Sequence, residues 1–439
     1  MPRLNESEDN LRFVVIAAGL VAAAVLTSLL ARKVIAADGA WYVMSIALEG
    51  DFFLVGWHRN FAQIANQIIP VTYRRFFDAS LSVVEFLYSL NIFICFAFSV
   101  LLSAHLCRSS FHSYFVFCFS LLVVSLFSDY IIMGEHQILM LFAWPILLFA
   151  VYPSASRLVQ ILILFCAVVV LRCYETAAVI LMLPLVVSVF RIVRPGQRGQ
   201  VGLPYWIVLA ALLCCGVALG AHGILFPRDA GNMSGFAQSA LIPLQKPIVW
   251  ASLVLLVPFV LAVVLSHRLL AFGTAAAGVL VLTWVWWTGG VPDSWQSFSG
   301  RSLTLTILPA LMAICVAIGK WGRPVDPQIA VSGLILIAGF VGVSAASQLS
   351  WYSALQNLED RLSTHSGLQE YGQAGLDNEE FFPYWTLPTL SILMQPDCVD
   401  SVVLVPDGHP WQPFDPHLAL PELYGVTYGT ALGGNGCPE

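Results

Sequence analysis

Charge is what this 439-residue chain has least of: 10% of its residues are Asp, Glu, Lys or Arg, while 58% are hydrophobic. Soluble globular domains carry about 25% charged residues, so a soluble protein is excluded. The sequence also lacks a glycine-rich nucleotide-binding loop, a Gly-x-Ser-x-Gly elbow and a metalloprotease motif. No basic block points to nucleic acid as a partner. The sequence therefore predicts a polytopic membrane protein with no nucleotide cofactor motif.

Long apolar runs take the place of charge. A helix needs about 20 apolar residues to cross a bilayer, and about eleven such runs are present. They lie at roughly 12–31, 82–104, 112–128, 137–152, 157–173, 176–192, 204–224, 248–266, 269–287, 302–319 and 328–347. The first run ends at Arg32-Lys33 instead of a small-residue cleavage site, so we expect it to be retained as a helix. These runs predict an all-α transmembrane domain over 1–347.

The distribution of basic residues predicts the orientation. Lys and Arg concentrate in the loops that lie inside if the amino terminus is inside, in keeping with the positive-inside rule. These residues are Arg3, Arg12, Arg108, Arg157, Arg191, Arg194, Arg198, Arg268, Lys320 and Arg323. The loop 32–81, between the first two spans, would then lie outside, although it also carries five basic residues. We expect a bacterial cytoplasmic (inner) membrane protein, embedded among membrane lipids, with its carboxyl terminus outside.

The tail, 348–439, predicts a small extracytoplasmic α+β domain. It carries one basic residue, Arg361, against twelve acids. A helix is expected over 351–362 as a continuation of the last span, and a strand over 401–406. Its only cysteines are Cys398 and Cys437, which suit a disulfide in an oxidising compartment or two reduced thiols.

The first outer loop has the periodicity of two short helices. Trp41, Met44 and Leu48 recur at helical spacing, and so do Phe61, Ile64 and Ile68. Both segments are interpreted as helices lying in the membrane interface, with Trp and Tyr at headgroup depth. The candidates for contact with an acceptor or with the interface are Trp41, Tyr42, His58 and Arg59.

Asp38 is the candidate catalytic residue. It follows the first span directly, in the sequence Ala37-Asp38-Gly39, and precedes the first amphipathic helix. As a carboxylate at the membrane face it could accept a proton from a lipid-bound substrate. The alternative is a helix N-cap, which Asp favours, and the two roles are compatible.

Two further acidic segments are expected on the same face. Asp129, Glu135 and His136 share a tight loop, which could bind a divalent ion or a phosphate-linked donor. Arg172 and Glu175 interrupt a long apolar stretch and could bind the phosphate of a donor. Solvated or charge-neutralised turns are the alternatives for both segments, and the metal dependence stays open.

Arg301 opens the tenth span after a loop that carries Asp293 and is preceded by Trp286 and Trp287. Arginine is suited to bidentate contact with a phosphate, and aromatic rings stack on sugars. An aromatic belt at the membrane interface explains the tryptophans equally well.

In its topology and its outer-face acids the chain resembles the GT-C superfamily of membrane glycosyltransferases. Asp38 matches the acid that follows the first span, and Asp129 or Glu135 matches the second acidic motif. The resemblance implies a polyprenyl-phosphate-linked sugar donor, a glycan or lipid acceptor, an inverting transfer and an active site at the outer membrane face.

The resemblance gives the candidate residues roles. Asp38 would be the base, Arg172 or Arg301 would hold the departing phosphate, and Glu135 and His136 would orient the donor or a metal. A lipid-linked glycan polymerase or ligase is an alternative enzyme. A transporter or flippase is the alternative outside enzymes, but it predicts internal repeats between the two halves, which the sequence does not show.

Overall fold

The computed structural model describes residues 3–35, 38–54, 59–123, 135–226, 247–287, 299–321, 326–363, 367–370, 390–391, 393–394 and 402–405. This part of the chain is almost entirely helical. Its α-helices are α1 (Arg3–Leu30), α2 (Asp38–Glu49), α3 (Asn60–Phe76), α4 (Leu81–Leu106), α5 (Phe111–Leu121), α6 (Glu135–Val151), α7 (Arg157–Val170), α8 (Ala177–Ile180), α9 (Met182–Val193), α10 (Leu203–Leu225), α11 (Pro247–Leu265), α12 (Arg268–Trp287), α13 (Ser299–Trp321) and α14 (Pro327–Leu362). Two short 3-10 helices are η1 (Lys33–Ile35) and η2 (Pro195–Gln197), and two strands are β1 (Gly367–Glu370) and β2 (Val402–Val405).

Four described helices are long and apolar enough to cross a membrane: α1 from Glu8, α4, α10 and α14. Each of the other predicted spans coincides with an apolar helix or helix pair that does not meet this criterion within its described residues. For example, α5 has 11 residues, which amounts to about 16 Å against a hydrocarbon core of about 30 Å. A membrane protein follows from these helices, whereas the number of eleven spans stays a prediction.

The middle of the bundle is formed by α5 and α6. Every residue of α5 is buried, and α5 packs against α1, α13 and α14. Phe115 stacks on Phe259 of α11 with ring centroids 4.4 Å apart, and Phe119 meets Phe340 of α14 at 5.1 Å. A helix that is apolar on all sides is stable only where it is surrounded, so the aromatic residues of α5 place it in the core.

The interpretation of α2 as an interfacial helix is wrong. Residues 40–46 of α2 are all buried, and Trp41 and Tyr42 are only 8% and 2% exposed. The helix packs against α3, α4 and η1, because its side chains are apolar around most of its circumference. The Trp and Tyr of this helix therefore pack inside the protein instead of facing the lipid headgroups.

The second helix of the same segment, α3, is amphipathic, and its polar face is the buried one. Gln63, Asn66 and Gln67 are fully buried, whereas Ile68 is 49% exposed and Phe76 is 76% exposed. This arrangement is the reverse of a soluble surface helix. It fits a helix whose polar face contacts the protein and whose apolar face contacts lipid.

Asn91 of α4 joins α3 to the bundle. Pro70 lies within α3 and has no N–H, so the carbonyl of Asn66 loses its usual helical partner. The Nδ2 of Asn91 donates to that carbonyl at 2.7 Å and to the carbonyl of Ala65 at 2.8 Å. Its Oδ1 accepts from the N–H of Ile69 at 3.2 Å. One side chain thus satisfies the backbone groups that surround the proline.

The carboxyl-terminal part begins with the helix that the sequence predicts. α14 continues without a break from Pro327 to Leu362, and Lys33 of η1 lies 4.3 Å from the ring of Trp351 on it. β1 and β2 pair in parallel, with Gly367 opposite Val402. The α+β domain over 348–439 and the disulfide stay predictions, since Cys398 and Cys437 lie outside the described residues.

Replacing Asn91 by Leu should detach α3 from α4. The variant leaves the Asn66 carbonyl and the Ile69 N–H buried without this partner, at a cost of about 1–3 kcal/mol for each group. We expect a lower unfolding temperature of the detergent-purified protein and faster proteolysis within 32–81. Ser89→Ala is the control on the same helix, because its hydroxyl donates only to the carbonyl of Glu85 within α4. Equal unfolding temperatures for the two variants would show that Asn91 does not hold α3.

Candidate functional site

Three segments that are distant in the sequence meet at one end of the bundle. They are the start of α3, the start of α6 and the turn at 171–176 between α7 and α8. The N–H of Phe61 donates to the carbonyl of Arg172 at 3.2 Å, and the rings of His136 and Tyr174 are 6.0 Å apart. The first N–H groups of a helix have no partner within the helix, so the turn completes the start of α3. We call Arg59, Phe61, His136, Arg172, Tyr174 and Glu175 the Arg59 cluster.

Arg59 and Glu175 form the ion pair of this cluster. The Nη2 of Arg59 lies 2.8 Å from the Oε1 of Glu175, and the two side chains are 21% and 15% exposed. The guanidinium carbon of Arg59 is 4.6 Å from the centre of the Tyr174 ring, within the range of a cation–π contact. These contacts fix the arginine in a partly buried position.

Arg172 brings a second guanidinium to the same place. Its guanidinium carbon lies 5.4 Å from the centre of the Phe61 ring. The two guanidinium groups of the Arg59 cluster suit it to an anionic group such as a phosphate, which guanidinium groups bind through paired hydrogen bonds.

Glycines of α10 make room for the turn that carries Glu175. A Cβ on Gly223 would lie 2.8 Å from the Cγ of Glu175, and one on Gly220 would lie 2.6 Å from the backbone nitrogen of Ala178. Next to Glu175, the hydroxyl of Thr176 is buried and has no hydrogen-bond partner within the described residues. These glycines are not among the predicted site residues. Their signal is a pair of glycines three residues apart near the end of an apolar span.

Asp38 begins α2, and its backbone lies beside η1 and α4. A Cβ on the next residue, Gly39, would lie 1.8 Å from the carbonyl oxygen of Val34 and 3.9 Å from the Tyr88 ring. Glycine is therefore required at position 39, because no side chain fits beside the carbonyl of Val34. Tyr42 follows one turn later and meets the Tyr88 ring at a centroid distance of 6.0 Å. The side chain of Asp38 lies outside the described part of the structure.

The structure brings together only some of the predicted site residues. Arg59, His136, Arg172 and Glu175 meet in the Arg59 cluster, whereas Trp41 and Tyr42 pack in the interior beside α4. Residues outside the described part, wholly or in their side chains, are His58, Asp129, Glu135, Asp293, Trp286, Trp287 and Arg301. Their convergence on the same site stays a prediction.

The helix that carries Arg301 points its first turn toward the end with the Arg59 cluster. α13 packs against α6 and α8. Near its last turn a Cβ on Gly319 would lie 2.3 Å from the Cγ1 of Val151, the last residue of α6. The carboxyl ends of α6 and α13 therefore meet, so both helices run in the same direction. Their first residues, Glu135 and Ser299, lie toward the opposite end of the bundle.

A metal centre is not assembled by the described residues. Among them, no three His, Cys, Asp or Glu side chains are close enough to share an ion. The predicted loop 129–136 contributes only His136 to the described side chains. A divalent ion bound by this loop stays a prediction.

Sequence reasoning missed the pairing of Arg32 with Glu85. The Nε and Nη2 of Arg32 donate to the two carboxylate oxygens of Glu85, both at 2.7 Å. Arg32 has a φ of +54°, a left-handed conformation that is uncommon for residues other than glycine. Burial disfavours its charge, but the hydrogen bonds that Arg32 donates to Glu85, together with the negative charges of Glu85 and Glu359, raise its pKa above the usual value. The signal in the sequence was an isolated acid, Glu85, near the outer end of a span.

No protein-family model, curated protein or solved structure matches this chain. A function can therefore be argued only from the residues of the chain and their arrangement. The Arg59 cluster and the segment 32–81 provide that arrangement.

The Arg59–Glu175 pair should contribute more to stability than a more exposed pair. In a double-mutant cycle with Arg59→Ala and Glu175→Ala, we expect a coupling energy of about 1–3 kcal/mol, because both charges are mostly removed from water. The matched control is Arg268–Asp326, which is 2.6 Å apart with Arg268 61% exposed and should couple by less than about 1 kcal/mol. The measurement is reversible denaturant unfolding in detergent. A coupling energy no greater than that of the control pair would contradict the structural role.

Proposed function

We propose that this chain is a membrane glycosyltransferase that moves a sugar from a polyprenyl-phosphate donor to a glycan or lipid acceptor. The observation that carries the proposal is the Arg59 cluster. It brings the guanidinium groups of Arg59 and Arg172 together with the carboxylate of Glu175 at the end of the bundle where α3 begins. A phosphate linked to a membrane lipid needs such a site: cationic, partly dry and at the membrane surface.

The reaction would use Asp38 from the segment 32–81 together with residues at the starts of α6 and α13 and in the turn 171–176. The acceptor hydroxyl oxygen attacks the anomeric carbon of the sugar, the bond from that carbon to the phosphate oxygen breaks, and the proton passes to the carboxylate of Asp38. Arg172 or Arg301 stabilises the charge that develops on the departing phosphate. Glu135 and His136 orient the donor. Attack opposite to the departing phosphate inverts the configuration at the anomeric carbon.

The same proposal places the Arg59 cluster at the outer face of a bacterial cytoplasmic membrane. The opposite end of the bundle carries many arginines, one of which, Arg191, donates to the carbonyls of Ala150 and Val151 at 2.9 Å. Under the positive-inside rule this end faces the cytoplasm. The donor then approaches from the outer leaflet, beside α3.

Replacing Asp38 by Asn should abolish transfer while the protein remains folded. The amide is nearly equal in size but cannot accept the proton, and loss of a general base costs about 10²–10⁴-fold in rate. The assay is mass spectrometry of lipid-linked sugars in a deletion strain that carries each variant. Asp78→Asn is the control, because this acid lies in the same segment and its side chain is 97% exposed.

This experiment distinguishes failure of the proposed transferase activity from failure of the role of Asp38. Accumulation of a polyprenyl-phosphate sugar in the deletion strain and with Asp38→Asn, but not with Asp78→Asn, supports the proposal. No change in any lipid-linked sugar or surface glycan after deletion would exclude the transferase. If the deletion strain accumulates the donor but the Asp38→Asn variant transfers sugar at the wild-type rate, the transferase stands and Asp38 is not its general base.

Arg172→Gln should weaken the contact with the donor phosphate. The substitution removes the positive charge and the paired donors, so we expect kcat/KM to fall by about 10-fold or more, equal to roughly 1.4 kcal/mol. Arg157→Gln, at the opposite end of the bundle, is the control. Equal kcat/KM values for both variants with a purified polyprenyl-phosphate sugar would contradict the role of Arg172.

A further inference from the structure

A groove lies between α1 and α4, on the side of α4 away from α3. It has a volume of about 580 Å³, within the range of about 300–1,000 Å³ that is usual for ligand pockets. Its described lining residues are Leu26, Leu29, Leu30, Arg32, Ser82, Glu85, Phe86, Ser89, Leu90, Phe93, Glu359, Leu393 and Met394. None of these residues belongs to the Arg59 cluster.

The groove is polar at one end and apolar along the rest of its length. Arg32, Ser82, Glu85 and Glu359 lie at the end where α1 finishes and α4 begins. Beyond Glu85, α4 lines the groove with Phe86, Ser89, Leu90 and Phe93, over about 12 Å along the helix axis. One leaflet of a bilayer has a hydrocarbon depth of about 15 Å. The groove therefore covers most of the depth of one leaflet, which suits one lipid with its headgroup at the polar end and the upper part of a single chain along α4.

Exposed apolar side chains surround the groove. Leu30 is 70% exposed and Phe86 is 66% exposed, so the groove can be entered from the lipid phase. Large exposed apolar surfaces of this kind are ordinary in a helix that faces a bilayer. What distinguishes the groove is the set of charges at its end.

These charges select among headgroups. The Nε and Nη2 of Arg32 donate to Glu85. Within the described part of the chain, its Nη1 contacts the sulfur of Met394, at 3.5 Å. The carboxylate of Glu359 forms no ion pair with a described residue, so one guanidinium faces two carboxylates at this end. A phosphate alone would meet a net negative charge. A headgroup with a phosphate beside an ammonium can present the phosphate to Nη1 of Arg32 and the ammonium to Glu359.

We propose that the groove binds one membrane lipid whose headgroup carries a primary ammonium next to a phosphate diester. Arg32, oriented by Glu85, contacts the phosphate, and Glu359 contacts the ammonium. One acyl chain lies along α4 between Phe86 and Phe93. This inference does not depend on the proposed transferase activity.

The test is native mass spectrometry of the full-length protein in detergent with added lipids of identical acyl chains. Phosphatidylethanolamine should bind about fivefold more tightly than phosphatidylglycerol, which corresponds to about 1 kcal/mol. It should also bind more tightly than phosphatidylcholine, whose methylated ammonium donates no hydrogen bond. Equal binding of the three lipids would overturn the proposal, and so would tighter binding of a polyprenyl phosphate.

Two variants and one control locate the site. Glu359→Gln should remove the preference for phosphatidylethanolamine over phosphatidylglycerol, because the ammonium loses its partner. Asp360→Asn, the neighbouring exposed acid that does not line the groove, should keep the preference. Ser89→Trp fills the apolar part and should abolish stoichiometric binding of all three lipids. An unchanged preference in Glu359→Gln, or unchanged binding in Ser89→Trp, would contradict the site.

Discussion

The contact between Asn91 and the backbone of α3 is the interaction on which the arrangement of the 32–81 segment depends. A chain with so little charge has to satisfy its buried polar groups internally, because an unpaired carbonyl in an apolar environment costs several kcal/mol. Pro70 leaves the carbonyl of Asn66 without its helical partner, and the side chain of Asn91 donates a hydrogen bond to it. A second polar contact continues the attachment, since the amide of Gln67 exchanges hydrogen bonds of 2.8 and 3.0 Å with the backbone of Phe53. With α3 held in this way, its first residues reach the turn at Arg172.

The periodicity of this segment predicted its two helices but not their surroundings. Spacings of three and four residues show that Phe61, Ile64 and Ile68 share a face of α3, and they do not show whether that face meets protein or lipid. The answer depends on the partner surface, where α4 offers Asn91 and draws in the polar face. For α2, burial on all sides could not be read from Trp41 and Tyr42 alone, because an interfacial helix and a buried helix have similar aromatic content. The continuation of α14 to Leu362 was predictable, since no proline or glycine interrupts 343–362.

The sequence predicted which residues belong to the candidate site, but not which of them form ion pairs with one another. Arg172 and Glu175 were singled out because charges within an apolar stretch are costly. The partner of Glu175 is Arg59, 116 residues away, and not the neighbouring Arg172. Arg59 was predicted to contact an acceptor or the interface, and its pairing with Glu175 follows only from the packing of α3 against α6 and α7. In the same way, the ion pair of Arg32 with Glu85 follows from the packing of α1 against α4.

α4 connects the two polar regions of the protein through its opposite faces. Tyr88, Asn91 and Cys95 contact the 32–81 segment, whereas Glu85, Ser89 and Phe93 line the groove. Both sets recur at spacings of three or four residues, so each follows one side of the same helix. A displacement of α4 along its axis would move Glu85 relative to Arg32 and Asn91 relative to Pro70 together. The position of α4 is therefore fixed by contacts on both sides, with Arg32 on one and the backbone around Pro70 on the other.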